Sequence, residues 1–286
     1  MPNYGGQAVI EGVMMRGRKA AAIAMRNPDG EIIIHTEELN KIYQSQIMKV
    51  PFLRGLIGLY DALILGMKAL TISANTQTGE DEKIEGPALF FTFFLSLSIA
   101  VLLFFLIPAG VGQAVERYLN WSPWVGNLLE GFVRLIFLIA YMWGIGKMED
   151  IKRVFRYHGA EHKVINAFEA GADLVPEKVK EFSLEHPRCG TAFLLIVVLF
   201  SVLIFTALGP LTLAWRLISR ILLLPVLAGV AYEYLRWTAA NQHKAFVKVL
   251  IKPNLALQRL TTIEPSLEII EVSIAAFNAM RKLEEA

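Results

Sequence analysis

Four long apolar stretches, separated by polar segments, dominate the pattern of this chain. Pro87 to Ile107 runs for 21 residues without a charge, long enough for a helix to cross a hydrocarbon core of about 30 Å. Val125 to Ile145 is a second stretch, with Glu130 and Arg134 inside it. Thr191 to Leu208 is a third, uncharged and broken by Gly209-Pro210. Leu211 to Leu235 is a fourth, bent at Pro225 and bearing Arg216, Arg220 and, near its end, Glu233. The pattern predicts two transmembrane hairpins.

The polar segments carry other signals. Gln7 to Met15 and Ala20 to Met25 read as strands; Asn27-Pro28-Asp29-Gly30 is a turn, and Glu31 to Thr36 is a further β-branched run. Together they predict a short antiparallel meander on the membrane surface. Residues 41–78 read as helical, but Pro51, Gly55, Arg54, Asp61 and Lys68 interrupt the apolar pattern, which favours an interfacial or re-entrant helix over a span. Gly79 to Gly86 is an acidic linker. Leu267 to Leu283 is a final amphipathic helix, with Glu268 and Glu271 early and Arg281 and Lys282 late, as the helix dipole favours. The expected organisation is a β cap at 1–40, the interfacial helix and linker at 41–86, hairpin one at 87–146 and a loop at 147–190. Hairpin two follows at 191–235 and C-terminal helices at 236–286.

Composition supports a membrane protein. Of 286 residues, 55% are hydrophobic and 19% charged, against roughly 45–50% and about 25% in soluble domains. Mean hydropathy is +0.46. Positive residues are unevenly placed: nine Lys and Arg in residues 1–86, eight in 147–190 and seven in 236–286. The connection between the first two spans has Arg117 alone, and the Gly209-Pro210 turn has none. The positive-inside rule then places both termini and the central loop in the cytoplasm of a multi-pass inner-membrane protein. In that orientation Arg216 and Arg220 would snorkel near the outer surface. The net charge of +2 and the lack of a basic stripe interleaved with aromatics argue against a nucleic-acid partner. Met1 to Gly12 has no basic start and does not read as a signal peptide. Cys189 is the single cysteine, which excludes an intrachain disulfide.

The central loop concentrates the chemistry. In Tyr157-His158-Gly159-Ala160-Glu161-His162-Lys163 the two histidines are four apart and share a helix face. Two imidazoles at that spacing suit Zn²⁺, and Glu161 between them suits a general base for metal-bound water. The order His-x-x-Glu-His is that of inverted zincins, which add a downstream Glu; Glu169 and Glu233 are candidates. Gly159 weakens the helix by roughly 1 kcal/mol relative to Ala. His186 and Cys189, just before the third span, are a possible second ligand pair, and Arg188 is placed to favour the thiolate. The plainer reading is that these residues cap a helix and anchor an interface. Glu11 lies in an apolar run, on the face of Val9 and Val13 if that run is a strand; it is either exposed or held by Arg16 or a metal. Glu130 and Arg134, four apart, read as an intramembrane ion pair.

Several of these blocks resemble one family. Gly5 to Arg16, Pro51-Phe52-Leu53-Arg54-Gly55, Tyr157 to Lys163 and His186 to Thr191 carry the likeness, and it continues through Tyr232-Glu233 and Leu257 to Thr262. The chain is similar over nearly its whole length to the YqhQ family of bacterial polytopic membrane proteins, a domain of unknown function labelled a predicted metal-dependent enzyme. Asn254 and Ile263 depart from the family pattern, which favours Gly and a basic residue there, and neither touches the His, Glu or Cys positions. The resemblance implies a membrane protein with a metal site.

The expected fold class is an α-helical membrane protein with four transmembrane helices, a small N-terminal antiparallel β unit and cytoplasmic amphipathic helices. The expected function is a metal-dependent enzyme, a hydrolase at the cytoplasmic interface. His158, His162, His186, Cys189 and Glu233 would supply the ligands, a divalent metal such as Zn the cofactor, and Glu161 the base. Membrane lipids are the expected surroundings, with a membrane-associated substrate or protein partner. A non-enzymatic scaffold or assembly factor is the alternative. A transporter is disfavoured by four spans with one mid-depth charge pair.

Overall fold

A computed structural model describes residues 4–40, 43, 45–78 and 86–286, apart from the side chain of Asp61. The acidic linker therefore lies outside the described residues except for Gly86.

The N-terminal unit is a four-stranded antiparallel meander: β1 (Gly5–Val9), β2 (Gly12–Arg16), β3 (Ala20–Arg26) and β4 (Ile32–Glu38). The run expected as one strand is a hairpin. Val9 pairs with Gly12, leaving Ile10-Glu11 as the turn, and Glu11 takes a left-handed φ of 53°. Glu11 thus leaves the strand and never shares a face with Val9 and Val13. Gly12 is required because a Cβ there would lie 2.2 Å from the Ala24 carbonyl oxygen.

Nor is the sheet a surface layer. Successive side chains of β2 and β3 alternate between two covered faces. Val13, Met15, Ala22 and Ala24 pack into one cluster with Tyr157, Val164, Phe277 and Met280. Met14, Ala21, Ile23 and Met25 pack into another with Leu65 and Ala69. A sheet buried on both faces needs nearly continuous apolar strands, and β2 and β3 are such strands.

Next come a 3-10 turn at Gln46–Lys49 and α1 (Leu53–Gln77), one continuous helix despite Gly55 and its charges. Its first half meets α9 (introduced below) through Gly55 and Gly58 against Tyr232, and its second half floors the sheet. α2 (Pro87–Val101), a π turn at Leu102–Leu106 and α3 (Ile107–Leu119) run on as one 33-residue rod that extends well past Ile107. α4 (Pro123–Ile145), α5 (Glu149–Glu169), a short α6 (Pro176–Val179) and α7 (Gly190–Ala207) follow.

The expected fourth span, 211–235, bent at Pro225, is a pair of helices, α8 (Leu213–Leu222) and α9 (Leu224–Ala240), which meet at 46° and form either a broken span or a re-entrant loop. Pro225, in the first turn of α9, gives up no hydrogen bond there but cannot continue α8 straight. α10 (Ala245–Gln258) and α11 (Leu267–Glu285) end the chain. Among the described residues four helices are long and apolar enough to cross a membrane: α1, the α2–α3 rod, α4 and α7. The bent α8–α9 pair makes a fifth if it is one broken span, and α1, expected to be interfacial or re-entrant, is as long and apolar as a span.

The expected lone pair Glu130–Arg134 is part of a larger cluster. Arg216 and Arg220 do not snorkel outward; each is about 1% exposed, bonded to Glu116 and Glu130 respectively. They stand four apart on α8, so one helix face carries both inward while its apolar face points out. Pairing with a carboxylate in a dry interior outweighs what a single arginine would gain by reaching for the surface.

Candidate metal centre

Three residues separate α4 from α5, which keeps the histidines close to the ends of the apolar helices. Glu149 and Asp150 in its first turn suit the positive end of its dipole. Gly159, expected to weaken the helix, is there for packing. A Cβ would meet the Ile263 carbonyl oxygen at 2.4 Å and Leu184 at 2.8 Å, so only glycine lets these two segments close over α5.

Both segments hold histidines in place. The Thr261 carbonyl accepts from His158 Nδ1 at 2.8 Å, and the Leu184 carbonyl accepts from His162 Nδ1 at 2.5 Å. A carbonyl can only accept, so both rings carry a proton on Nδ1, and the nitrogen available to a metal is Nε2 of the neutral ring. His186 follows the same rule. Asn166 spends its amide N–H groups on the Ser183 and Glu185 carbonyls at 2.9 and 3.1 Å, which aims its Oδ1 at His186 Nδ1, 2.8 Å away. His186 Nε2 is then a buried lone pair with no hydrogen-bond partner among the described residues. Burial pushes the His186 pKa down to about 3, helped by Arg188 and His162, so the ring stays neutral. Three imidazoles are thus fixed through Nδ1, the pattern of metal-binding histidines; His158 Nε2 meets Cys189 Sγ, and His186 Nε2 has no partner among the described residues.

The donors converge. His158 Nε2 lies 3.1 Å from Cys189 Sγ. Ligand atoms of His158, His162 and Cys189 all lie within 4.8 Å of one another, the one such group among the described residues. Tetrahedral Zn²⁺, with bonds of about 2.0–2.3 Å, needs donors roughly 3.5 Å apart. The His162 and His186 rings are adjacent, with centroids 5.7 Å apart. Two nitrogens and one sulfur make a donor set that suits zinc.

Other expected residues go elsewhere. Glu233 does not join the histidines; its carboxylate takes a forked ion pair from Arg54 and the N–H of Phe52 at 3.1 Å. Arg188 pairs with Glu169, which removes Glu169 as a ligand and Arg188 as a thiolate partner. Cys189 caps α7, its Sγ accepting from the Thr191 amide at 3.4 Å. Glu11 pairs with Arg153, with Tyr157 Oη 3.4 Å away. Arg16 lies over the Tyr43 ring.

Glu161 sits beside the centre but outside the three-ligand group. Its carboxylate turns toward β1 and accepts from the Gly6 amide; a Cβ on Gly6 would fall 2.9 Å from it. Burial raises its pKa to about 7, and the His158 charge and the Gly6 N–H only partly oppose that.

Gln258, Thr261 and Asn166 escaped the sequence reading. Gln258 brackets His186, accepting from its N–H at 3.0 Å and donating to its carbonyl at 2.8 Å. The signal was a polar run at and just past the end of α10, Gln258 with Thr261 and Thr262; all three are buried.

Fold and site thus define a mostly helical protein with apolar, membrane-length helices and a His-His-Cys cluster at their end. The chain belongs to the family described as protein of unknown function (DUF1385), whose model matches residues 50–283. It is 33% identical over 303 residues to the uncharacterised protein YqhQ of Bacillus subtilis (strain 168), covering 99% of this chain and 93% of that one. No solved structure matches it.

Proposed function

We propose that this protein is a metal-dependent membrane enzyme, a hydrolase whose centre lies at the cytoplasmic face of the inner membrane. The observation that carries the reading is the convergence of His158, His162 and Cys189 from two separate segments, with each histidine's Nδ1 committed to an oxygen. A bound Zn²⁺ would lower the pKa of its water to about 7. Glu161 is the nearby carboxylate that would accept that proton, and a bound cation would favour its ionised form over the burial that disfavours it in the metal-free protein. Its side chain would need to swing from Gly6 to do so. The substrate class that fits the location is a lipid or a membrane-embedded peptide.

Burial favours a second reading. His162 is 1% exposed and Cys189 4%; His186, outside the three-ligand group, would have to move closer for its unpartnered Nε2 to add a fourth donor. A closed His3Cys set is a structural zinc site, which suits a scaffold that pins residues 180–190 to α5.

The deciding experiment is elemental analysis of protein purified in detergent without chelator or histidine tag. About one zinc per chain, lost in His158→Ala/His162→Ala, supports the centre. No metal in either protein after reconstitution sinks it. Cobalt substitution then separates the readings: a visible spectrum that shifts with added azide means an open, water-bearing position, and one that does not means a closed site.

A further inference from the structure

The second polar centre is buried among the apolar helices toward the α3–α4 corner, far from the histidines. Asn127, Glu130 and Arg134 are on α4, about 17–27 Å along the helix from its Ile145 end. Arg216 and Arg220 reach them from α8 and Glu116 from α3. Gly126 makes room for Glu116; a Cβ there would collide with its carboxylate.

The charges do not balance. Across 87–146 and 191–232 the chain has Glu116 and Glu130 against Arg117, Arg134, Arg216 and Arg220. Three of those arginines are buried with only the two carboxylates between them. Glu130 is spent on Arg134 at 2.7 Å and Arg220 at 2.5 Å. Arg134 also uses the Phe104 carbonyl and Ser201, and Arg220 lies 4.1 Å over the Phe205 ring. Arg216 is served worst. Its Nη2 meets Glu116 and Asn127, while Nη1 is buried with no partner among the described residues. A buried guanidinium N–H left unmatched is costly, and the cluster carries one positive charge too many.

The surroundings identify the missing partner. The outer face of α8 exposes Trp215, Ile218 and Leu222, and Tyr118, Trp121 and Trp124 are exposed at the α3–α4 corner. Exposed Trp and Tyr beside apolar side chains mark the headgroup level of a bilayer. Asn127 and Glu130 lie only about one and two turns below that corner. A guanidinium fork is matched to phosphate oxygens. We propose that Arg216 receives a phosphate group at this face, that of an anionic phospholipid headgroup lodged between α3, α4 and α8. This rests on the membrane reading but not on the metal centre at the opposite end of the bundle.

Native mass spectrometry of the delipidated full chain in detergent tests it, with phosphatidylglycerol, phosphatidylcholine and, by thermal shift, inorganic phosphate against chloride. Wild type should retain phosphatidylglycerol over phosphatidylcholine, and Arg216→Gln should weaken that at least about tenfold. Glu116→Gln, which frees Arg216 of its competing carboxylate, should tighten it by about as much. A phosphate-specific shift that needs Arg216, with no lipid retained, keeps the anion site but assigns it to a soluble anion and overturns the headgroup. Equal lipid retention in wild type and folded Arg216→Gln overturns the proposal, as does no retention or shift in wild type. If Arg216→Gln fails to fold, Glu116→Gln decides, and no gain in binding overturns it. Metal content should be the same in every variant, which separates this outcome from that of the centre.

Discussion

Two polar centres sit in one apolar protein, and they treat hydrogen-bonding capacity in opposite ways. At the histidine end every Nδ1 is tied down to an oxygen, His158 Nε2 faces the Cys189 sulfur, and His186 Nε2 is left without a partner among the described residues. In the arginine cluster the groups are ions, and forks and carboxylates consume nearly all their capacity on one another. Leftover lone pairs on fixed rings are a feature of sites that bind something. Saturated ion networks are a feature of architecture, and the Arg216 Nη1, without a partner among the described residues, stands out against that background.

The comparison breaks most sharply at the two buried glutamates. Glu130→Gln strips the carboxylate shared by Arg134 and Arg220 and should cost about 3–5 kcal/mol. Glu161→Gln removes a carboxylate that burial already disfavours and should cost far less. Thermal unfolding in detergent reads both, and similar losses would erase the distinction between the centres.

Chelation should affect one centre only. At ligand concentrations of 100 times Kd a bound metal adds about 2.7 kcal/mol. Chelator should therefore lower the wild-type midpoint, leave His158→Ala/His162→Ala unchanged, and lower Glu130→Gln by the wild-type increment. A chelator effect that survives loss of both histidines would move the metal elsewhere.

A smaller effect is expected with pH in the metal-free protein. His186 titrates ordinarily at 6.5 and near 3 in the fold. Between those values the unfolded chain binds the proton that the folded chain refuses, so stability falls as pH drops below 6.5. Glu161, raised from 4.5 to about 7, works in the opposite sense, losing stability as pH rises across that range. Glu161→Gln as background isolates the histidine, and adding His186→Asn should flatten the acid limb. A limb that persists would mean that another group carries it.

The smallest effect belongs to Glu11→Gln. Its pair with Arg153 is partly exposed on both sides, so about 0.2–1 kcal/mol is expected from equilibrium unfolding. A larger loss would make this turn a structural latch rather than a surface pair.

The helical majority, the membrane-length stretches and the histidine face of α5 were legible in the sequence, because helix period and apolar length are local properties. His158 and His162 needed only a spacing of four. The partners were not legible. Glu233 and Cys189 looked equivalent along the chain, both close to the ends of apolar runs, yet Arg54 claims one and His158 faces the other. Arg216 and Arg220 looked like surface anchors because nothing nearby in sequence opposes them; their carboxylates lie 100 and 90 residues away. The Ile10-Glu11 turn hid inside an apolar run that carries no strong turn residue before Gly12.

Residue order alone thus settles which segments are helical, which are apolar enough for lipid, and which residue types are available for chemistry. These follow from backbone periodicity and transfer energies that act within a few turns. The chain's fold in space decides which donors meet, which charge answers which, and that Gly159 and Gly6 must lack a side chain. Those outcomes depend on distances of a few ångströms between segments tens of residues apart, and close packing, not local propensity, sets such distances.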